Sequence, residues 1–177
     1  MSESVSGQAF RDALAQFASG VTIVATRQGE QFDGLTATAF SSVSLDPPLV
    51  LVCVAKTASA HDAVVSAERV GISVLALEQG WVARQFARHG IDKFGGVPLV
   101  PDRGVPLVDG ALAHLECRRH ARHDAGDHTI VVAEVTAAWA AGGKPLLHYA
   151  RKLGGFAAES TVHPETPLTT AANGERR

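Results

Sequence analysis

Apolar and polar positions alternate along this chain in short β-type runs, broken by a few helical ones. Phe10, Ala13, Leu14 and Phe17 recur at helical spacing and predict a helix closed by Gly20. Val21, Ile23 and Ala25 alternate with Thr22, Val24 and Thr26 as a first strand, and Asp33-Gly34 marks a turn. Leu49 to Val54 is apolar throughout, short and β-branched, which predicts a buried strand. Ser59 is placed to cap a helix reaching Glu68. Val70 to Leu77 predicts another strand and Trp81 to Arg88 another helix. The Gly- and Pro-rich stretch from Ile91 to Val105 reads as an excursion between elements. Leu112 to Arg119 and Thr129 to Ala140 are long strands, with a loop at Asp124 to Asp127 between them. Met1 to Gly7 reads as a loose leader, and the small, polar, proline-punctuated sequence from residue 157 onward reads as a disordered end. One domain remains, over residues 8–156. Its many strands and few helices predict a mainly β fold with α: a β-barrel with helices packed on the outside.

Composition narrows the function. The 177 residues are 46% hydrophobic and 19% charged, ordinary for a globular domain with a real core. A net charge of −2 leaves no electrostatic footprint for nucleic acid. Arg118, Arg119 and Arg122 are interleaved with His and Ala, as in a solvated strand or hairpin. No apolar run reaches the roughly 18 residues needed to span a bilayer, so no membrane partner is expected. The N-terminus lacks the basic region and apolar core of a signal peptide, and the expected location is cytoplasmic. Cys53 and Cys117 each sit in an apolar strand context and read as buried free thiols.

The most informative stretch runs from Gly34 to Pro48. It carries five hydroxyl residues (Thr36, Thr38, Ser41, Ser42, Ser44) among small apolar ones, no basic residue, and a stop at two prolines. Such a segment can lie flat against a planar polar ligand, since small side chains allow close approach and hydroxyls replace water. It can equally be an edge strand with a hydrated Ser/Thr face. Familiar catalytic motifs are missing. No G-x-G-x-x-G follows a strand, and there is no P-loop, no G-x-S-x-G elbow and no H-E-x-x-H. His114, His120, His123 and His128 match no ligand spacing, and no metal is expected.

From Phe10 to about Phe156 the chain resembles the short-chain flavin reductase family, the FMN-binding split barrel that serves two-component flavin monooxygenases. The matching pieces occur in order: Phe10-Arg11, Phe17 to Thr22, Gly34 to Val50, Val74-Leu75-Ala76, Phe86-Ala87, Lys93-Phe94, Leu115-Glu116-Cys117, Gly126-Asp127-His128 and Pro145-Leu146-Leu147. The resemblance implies a Greek-key-like antiparallel split barrel with flanking helices. It implies a homodimer with FMN or FAD at the subunit interface, NADH or NADPH as hydride donor, and a monooxygenase partner receiving reduced flavin. By that pattern Thr36, Ala37, Thr38, Ala39 and Phe40 contact the isoalloxazine, and Ser41 and Ser42 follow the ribityl chain. Cys53, Val54, Ala55, Ser59 and Ala60 reach the phosphate end, with Phe86 and Lys93 lining the same side. His128 meets the nicotinamide as the catalytic residue, with Tyr149 and Arg151 near the NADH.

Alternatives remain open for single residues. An isolated Gly-Asp-His can be a loop whose histidine is bonded to Asp127, and Phe40 can be a core aromatic. The chain also departs from the family after Tyr149. It reads Ala150-Arg151-Lys152-Leu153-Gly154, where the family more often has an Arg-Gly pair followed by an aromatic. The rival readings are a flavin- or haem-binding split barrel without turnover and a pyridoxamine phosphate oxidase-like enzyme. The latter wants basic residues along its phosphate strands, and Gly34 to Val54 has none.

Overall fold

The computed structural model describes residues 5–157. In chain order its elements are α1 (Gly7–Leu14), β1 (Ser19–Gly20), β2 (Thr22–Gln28), β3 (Gln31–Ala37), β4 (Phe40–Leu45), β5 (Pro48–Ala55), α2 (His61–Ser66), β6 (Arg69–Val74), α3 (Gly80–Phe86), β7 (Ala113–Ala125), β8 (His128–Ala140), β9 (Leu147–Tyr149) and β10 (Lys152–Gly154). Seven strands form one antiparallel sheet in the order β3-β2-β6-β7-β8-β5-β4, and β1-β9-β10 form a small second one.

The connection between the two edge strands dictates the shape. β3 and β4 lie at opposite edges of the large sheet, yet only Thr38 and Ala39 separate them in sequence. Two residues span about 7 Å at most. The sheet must therefore curl until its edges meet at Thr38–Ala39, while β3 and β4 stay unpaired with each other beyond it. That is a split barrel.

Strand alternation then sorts side chains inward and outward. Val50, Val52 and Val54 of β5 and Val131 and Ala133 of β8 face the interior, joined there by Val24, Leu35, Ile72 and Cys117. Helix α2 closes this core with Val64 and Val65. Arg119 holds the end of α2, donating to the carbonyls of Val65, Ser66 and Ala67 at 3.3, 2.5 and 3.0 Å. A second core lies outside the barrel, where Val21, Ile23 and Ala25 meet Val82, Ala83 and Phe86 of α3, together with Val97 and Val108. Strand β2 is thus buried on both faces although its sequence alternates.

Several expected boundaries move. The turn lies at Gly29, in the left-handed region at φ 62°, and Asp33-Gly34 sits within β3 opposite Thr26 and Ala25. Gly34 is there because its missing Cβ makes room for Phe86, whose Cε1 would lie 2.9 Å from an added methyl. The first helix begins at Gly7, capped by the Ser6 hydroxyl, and ends at Leu14; Gly20 belongs to β1. Gly7 is therefore helical and Ser6 is its cap, with extended backbone, while residues 1–4 of the expected leader lie outside the described residues. The expected disordered tail, apart from residue 157, also lies outside them. Helix α2 starts at His61 behind Ala60, not at Ser59, and ends at Ser66. Among the described residues no helix is long and apolar enough to cross a membrane.

Candidate functional site

The segment singled out in the sequence is divided by the barrel. Its first part is structural. Thr36 donates its hydroxyl to the Ala83 carbonyl of α3 at 2.6 Å, and Ala37 is 5% exposed, with its carbonyl taking the Thr22 hydroxyl. The second part opens to solvent. Thr38, Ala39, Phe40 and Ser41 line one wall of a groove of about 520 Å³, backed by Leu51 and Cys53 of β5. Because β4 is an edge strand among the described residues, alternate N–H and C=O groups along it have no strand partner there and can meet a ligand. Ser42 is exposed and its carbonyl accepts from the Ser41 hydroxyl.

Helix α1 forms the opposite wall. Phe10, Arg11, Leu14 and Ala15 line the groove, followed by Phe17 and Ser19, with His148 and Arg151 at one end. The amphipathic pattern of Phe10, Leu14 and Phe17 is real, but the structure leaves these side chains 54%, 56% and 75% exposed. Their apolar face serves the groove, not the core. Sequence reasoning missed α1, Leu51 and His148 as lining residues. The one available signal was that Phe10-Arg11 lies within the family resemblance.

Register relates His128 to this groove. The pairs Leu51↔Val132, Cys53↔Ile130 and Ala55↔His128 put these side chains on one outward face of β5 and β8. His128 thus shares the face of Cys53, two residues (~7 Å) further along. Its Nδ1 lies 2.7 Å from an Asp127 carboxylate oxygen, and that bond holds Asp127 below the usual carboxylate range. The Asp127 carboxylate accepts a hydrogen bond from Nδ1–H, which leaves Nε2 as the ring nitrogen free to meet a ligand. The hairpin bearing the pair turns at Gly126, left-handed at φ 64°. Lys56 fixes it. Its Nζ donates to the Gly126 carbonyl at 2.7 Å and pairs with Asp124, while its backbone N–H donates to the Asp127 carbonyl at 2.9 Å.

The other expected site residues divide plainly. Cys53 lines the groove and is half-buried, whereas the fully buried thiol is Cys117. Val54, Ala60 and Phe86 are at most 1% exposed, and in this chain their side chains pack in the cores and offer no surface to a ligand. Strand alternation explains Val54, and Phe86 packs edge-on against Phe94 at 4.8 Å. Lys93 and Ser59 meet each other at 2.9 Å in a separate cleft of about 250 Å³. Lys93 also donates to the Gly34 carbonyl at 2.9 Å, and burial lowers its pKa. Tyr149 and Arg151 sit on the β9–β10 hairpin, bonded to Gln16 and Asp12. Among the described residues no cluster of three His, Cys, Asp or Glu is arranged to hold a metal.

An apolar slot with an open strand edge along one wall has the shape for a flat ring with a polar rim. Comparison with known proteins shows the family. The model of the flavin reductase like domain matches residues 14–157. The chain belongs to this family. An NADH-dependent flavin reductase of a Rhodococcus species is 48% identical over 144 residues, covering 78% of this chain and 80% of the relative. The reductase component of 4-hydroxyphenylacetate 3-monooxygenase from Thermus thermophilus is 44% identical over 132 residues, covering 72% and 81%. Among solved structures, the NADH:FAD oxidoreductase of Streptomyces globisporus in complex with NAD and FAD fragments superposes with a TM-score of 0.81 at 37% identity, covering 90% of this chain and all of that one. In this flavin reductase-like chain, the departure after Tyr149 has a structural form. Ala150 and Arg151 both occupy the left-handed region, at φ 48° and 63°, where a glycine carries no penalty.

Proposed function

We propose that this protein is an NADH-dependent flavin reductase that supplies reduced flavin to a separate monooxygenase. The observation that carries the reading is the groove between α1 and β4–β5, with an open strand edge at Thr38 to Ser41 and His128 on the same sheet face. A flavin held there would supply the hydride chemistry with the nicotinamide, so the protein need supply neither nucleophile nor acid–base pair. Its own residues position. Phe10, Leu14, Phe17, Phe40 and Leu51 exclude water from the ring faces, and the free N–H groups of β4 meet the polar rim, where negative charge develops. His128, held by Asp127, orients the nicotinamide through Nε2. Arg151 and Tyr149 extend the contact toward the rest of the donor, and Lys93 with Ser59 offers a cationic end for a flavin phosphate. FMN and FAD are both admitted.

The working unit in this reading is a homodimer in the cytoplasm, where NADH is supplied. Half-exposed Leu51, Ala55, Ile130 and Val132 on the outer barrel face, with exposed Val43 and Leu45 on β4, offer a second copy an apolar surface continuous with the groove. The deciving assay is NADH oxidation with and without added FMN or FAD. Turnover that depends on flavin is expected. Tight flavin binding with no consumption of NADH or NADPH would refute the enzyme and leave a flavin-binding module.

A further inference from the structure

Helix α1 is the least anchored element beside the groove. None of its residues is buried, so no core residue fixes it in place. Among the described residues, polar contacts to a single hairpin hold it instead. Arg151 donates to the Asp12 carboxylate, the Tyr149 hydroxyl donates to Gln16 Oε1 at 3.1 Å, and the Ala150 N–H donates to the Ala15 carbonyl at 2.9 Å. Three consecutive hairpin residues thus grip positions 12, 15 and 16, at and just beyond the end of α1. Asp12 also accepts from Gln8 Nε2 at 2.8 Å, which orients the carboxylate along the helix.

The gripping hairpin is itself under constraint. Its two turn residues, Ala150 and Arg151, are both left-handed, in a turn that favours Gly or Asn. Their conformation delivers the Ala150 N–H and the Arg151 guanidinium to the helix. The Asp12–Arg151 pair is more than half exposed on both sides, at 55% and 57%, so it is open to water and salt.

We propose that the β9–β10 hairpin latches α1 over the groove, with Asp12 and Gln16 as positioning residues, and that release of this latch sets how fast flavin leaves. The inference rests on the reading of the groove as the flavin site. A wall with no buried residue swings away once its polar grip is broken, while the barrel wall of β4 and β5 stays fixed by the interior core. A reductase that hands its product to another enzyme needs such a wall.

The test is flavin dissociation from the full-length protein, followed by stopped-flow fluorescence after dilution or displacement, without NADH. Asp12→Asn is expected to speed release about three- to fivefold, and Asp12→Asn with Gln16→Ala about tenfold. Asp12→Glu should restore most of the wild-type rate. Added salt should speed release from the wild type and leave Asp12→Asn unaffected, a readout that needs no folding-sensitive variant. Thermal midpoints should move little, since no buried contact is lost. Release rates unchanged in both variants and insensitive to salt, with flavin bound normally, would overturn the latch and leave the groove reading standing. A wild-type protein that binds no flavin would overturn the groove reading, and the latch with it.

Discussion

Replacing Gly34 by Ala separates two explanations for the glycine that opens the hydroxyl-rich segment. If that glycine lets a ligand approach the backbone, the added methyl should block flavin. The structure says otherwise. A Cβ at residue 34 would lie 2.9 Å from Phe86 Cε1, 3.1 Å from the Val24 carbonyl oxygen and 3.2 Å from Ala25 Cβ. The Phe86 ring is 1% exposed and held edge-on by Phe94, and the Val24 oxygen belongs to the backbone of a central strand. Neither yields cheaply. Overpacking of this kind costs about 1–3 kcal/mol, offset by about 0.5–1 kcal/mol because alanine loses less backbone entropy on folding. A net loss of about 1–2 kcal/mol corresponds to a fall in Tm of roughly 2–8 °C for a chain of this size. The groove residues Thr38 to Ser41 lie beyond the break between β3 and β4, and the added methyl points at Phe86 and not into the Lys93–Ser59 cleft that Gly34 borders, so flavin affinity should stay within about twofold of wild type. Thermal unfolding and a flavin titration below the transition decide it. An unchanged Tm together with a tenfold or greater loss of flavin affinity would refute the packing argument.

The remaining predictions concern the site directly. His128→Ala should slow flavin reduction by NADH about tenfold or more while leaving most of the flavin affinity, as stopped-flow absorbance would show; unchanged reduction kinetics remove His128 from the mechanism. Burial pushes the Cys117 thiol up to about 12, whereas Cys53 is half-buried at the groove, so a thiol reagent at mildly alkaline pH should modify Cys53 alone in the native protein and both after denaturation. Flavin should protect Cys53, and labelling indifferent to flavin would argue against the groove. The bonds from Gln8 and Arg151 hold Asp12 below the usual carboxylate range, so the latch is intact across that range and is lost as pH falls through the lowered value. Flavin release should therefore accelerate only at strongly acid pH, and not at all in Asp12→Asn.

Much of the barrel was legible because its strands are long and patterned. Leu49 to Val54 and Thr129 to Ala140 fall within β5 and β8, whereas the strand expected over Val70 to Leu77 ends at Val74 in β6 and the helix expected over Trp81 to Arg88 ends at Phe86 in α3. What failed depended on distant partners. Asp33-Gly34 carries the chemistry of a turn, and only the Phe86 ring packed beside Gly34 reveals a strand. Ser59 has the side chain of a helix cap, but its hydroxyl is taken by Lys93. Strands β9 and β10 have three residues each, too few to show a period. For the site, resemblance located the correct stretch of chain but not which side chains face outward. Alternation on β5 sends Val54 inward and Cys53 to the groove. The apolar stripe of α1 reads as core-facing in any sequence, since the pattern is the same whether a helix covers a core or a ligand.

These two walls differ in what holds them, and that difference assigns them different tasks. Orienting a nicotinamide against a flavin tolerates little displacement, so the residues that do it belong on rigid elements. His128 meets that demand: it starts a strand whose inner face is packed around Val131 and Ala133, and its hairpin is tied down by Lys56. Release demands the opposite, a part that opens at a free energy well below that of unfolding. Helix α1, with no buried residue and a grip made of exposed polar contacts, meets that demand. Among the described residues no hydrogen bond or ion pair joins His128 and Asp127 to Asp12 and Gln16, so their effects should be independent. His128→Ala combined with Asp12→Asn should show the reduction defect of one and the release defect of the other, each at its single-variant size. Strong non-additivity would mean that α1 also sets the geometry of hydride transfer, and the division between a rigid wall for chemistry and a loose wall for exchange would fail.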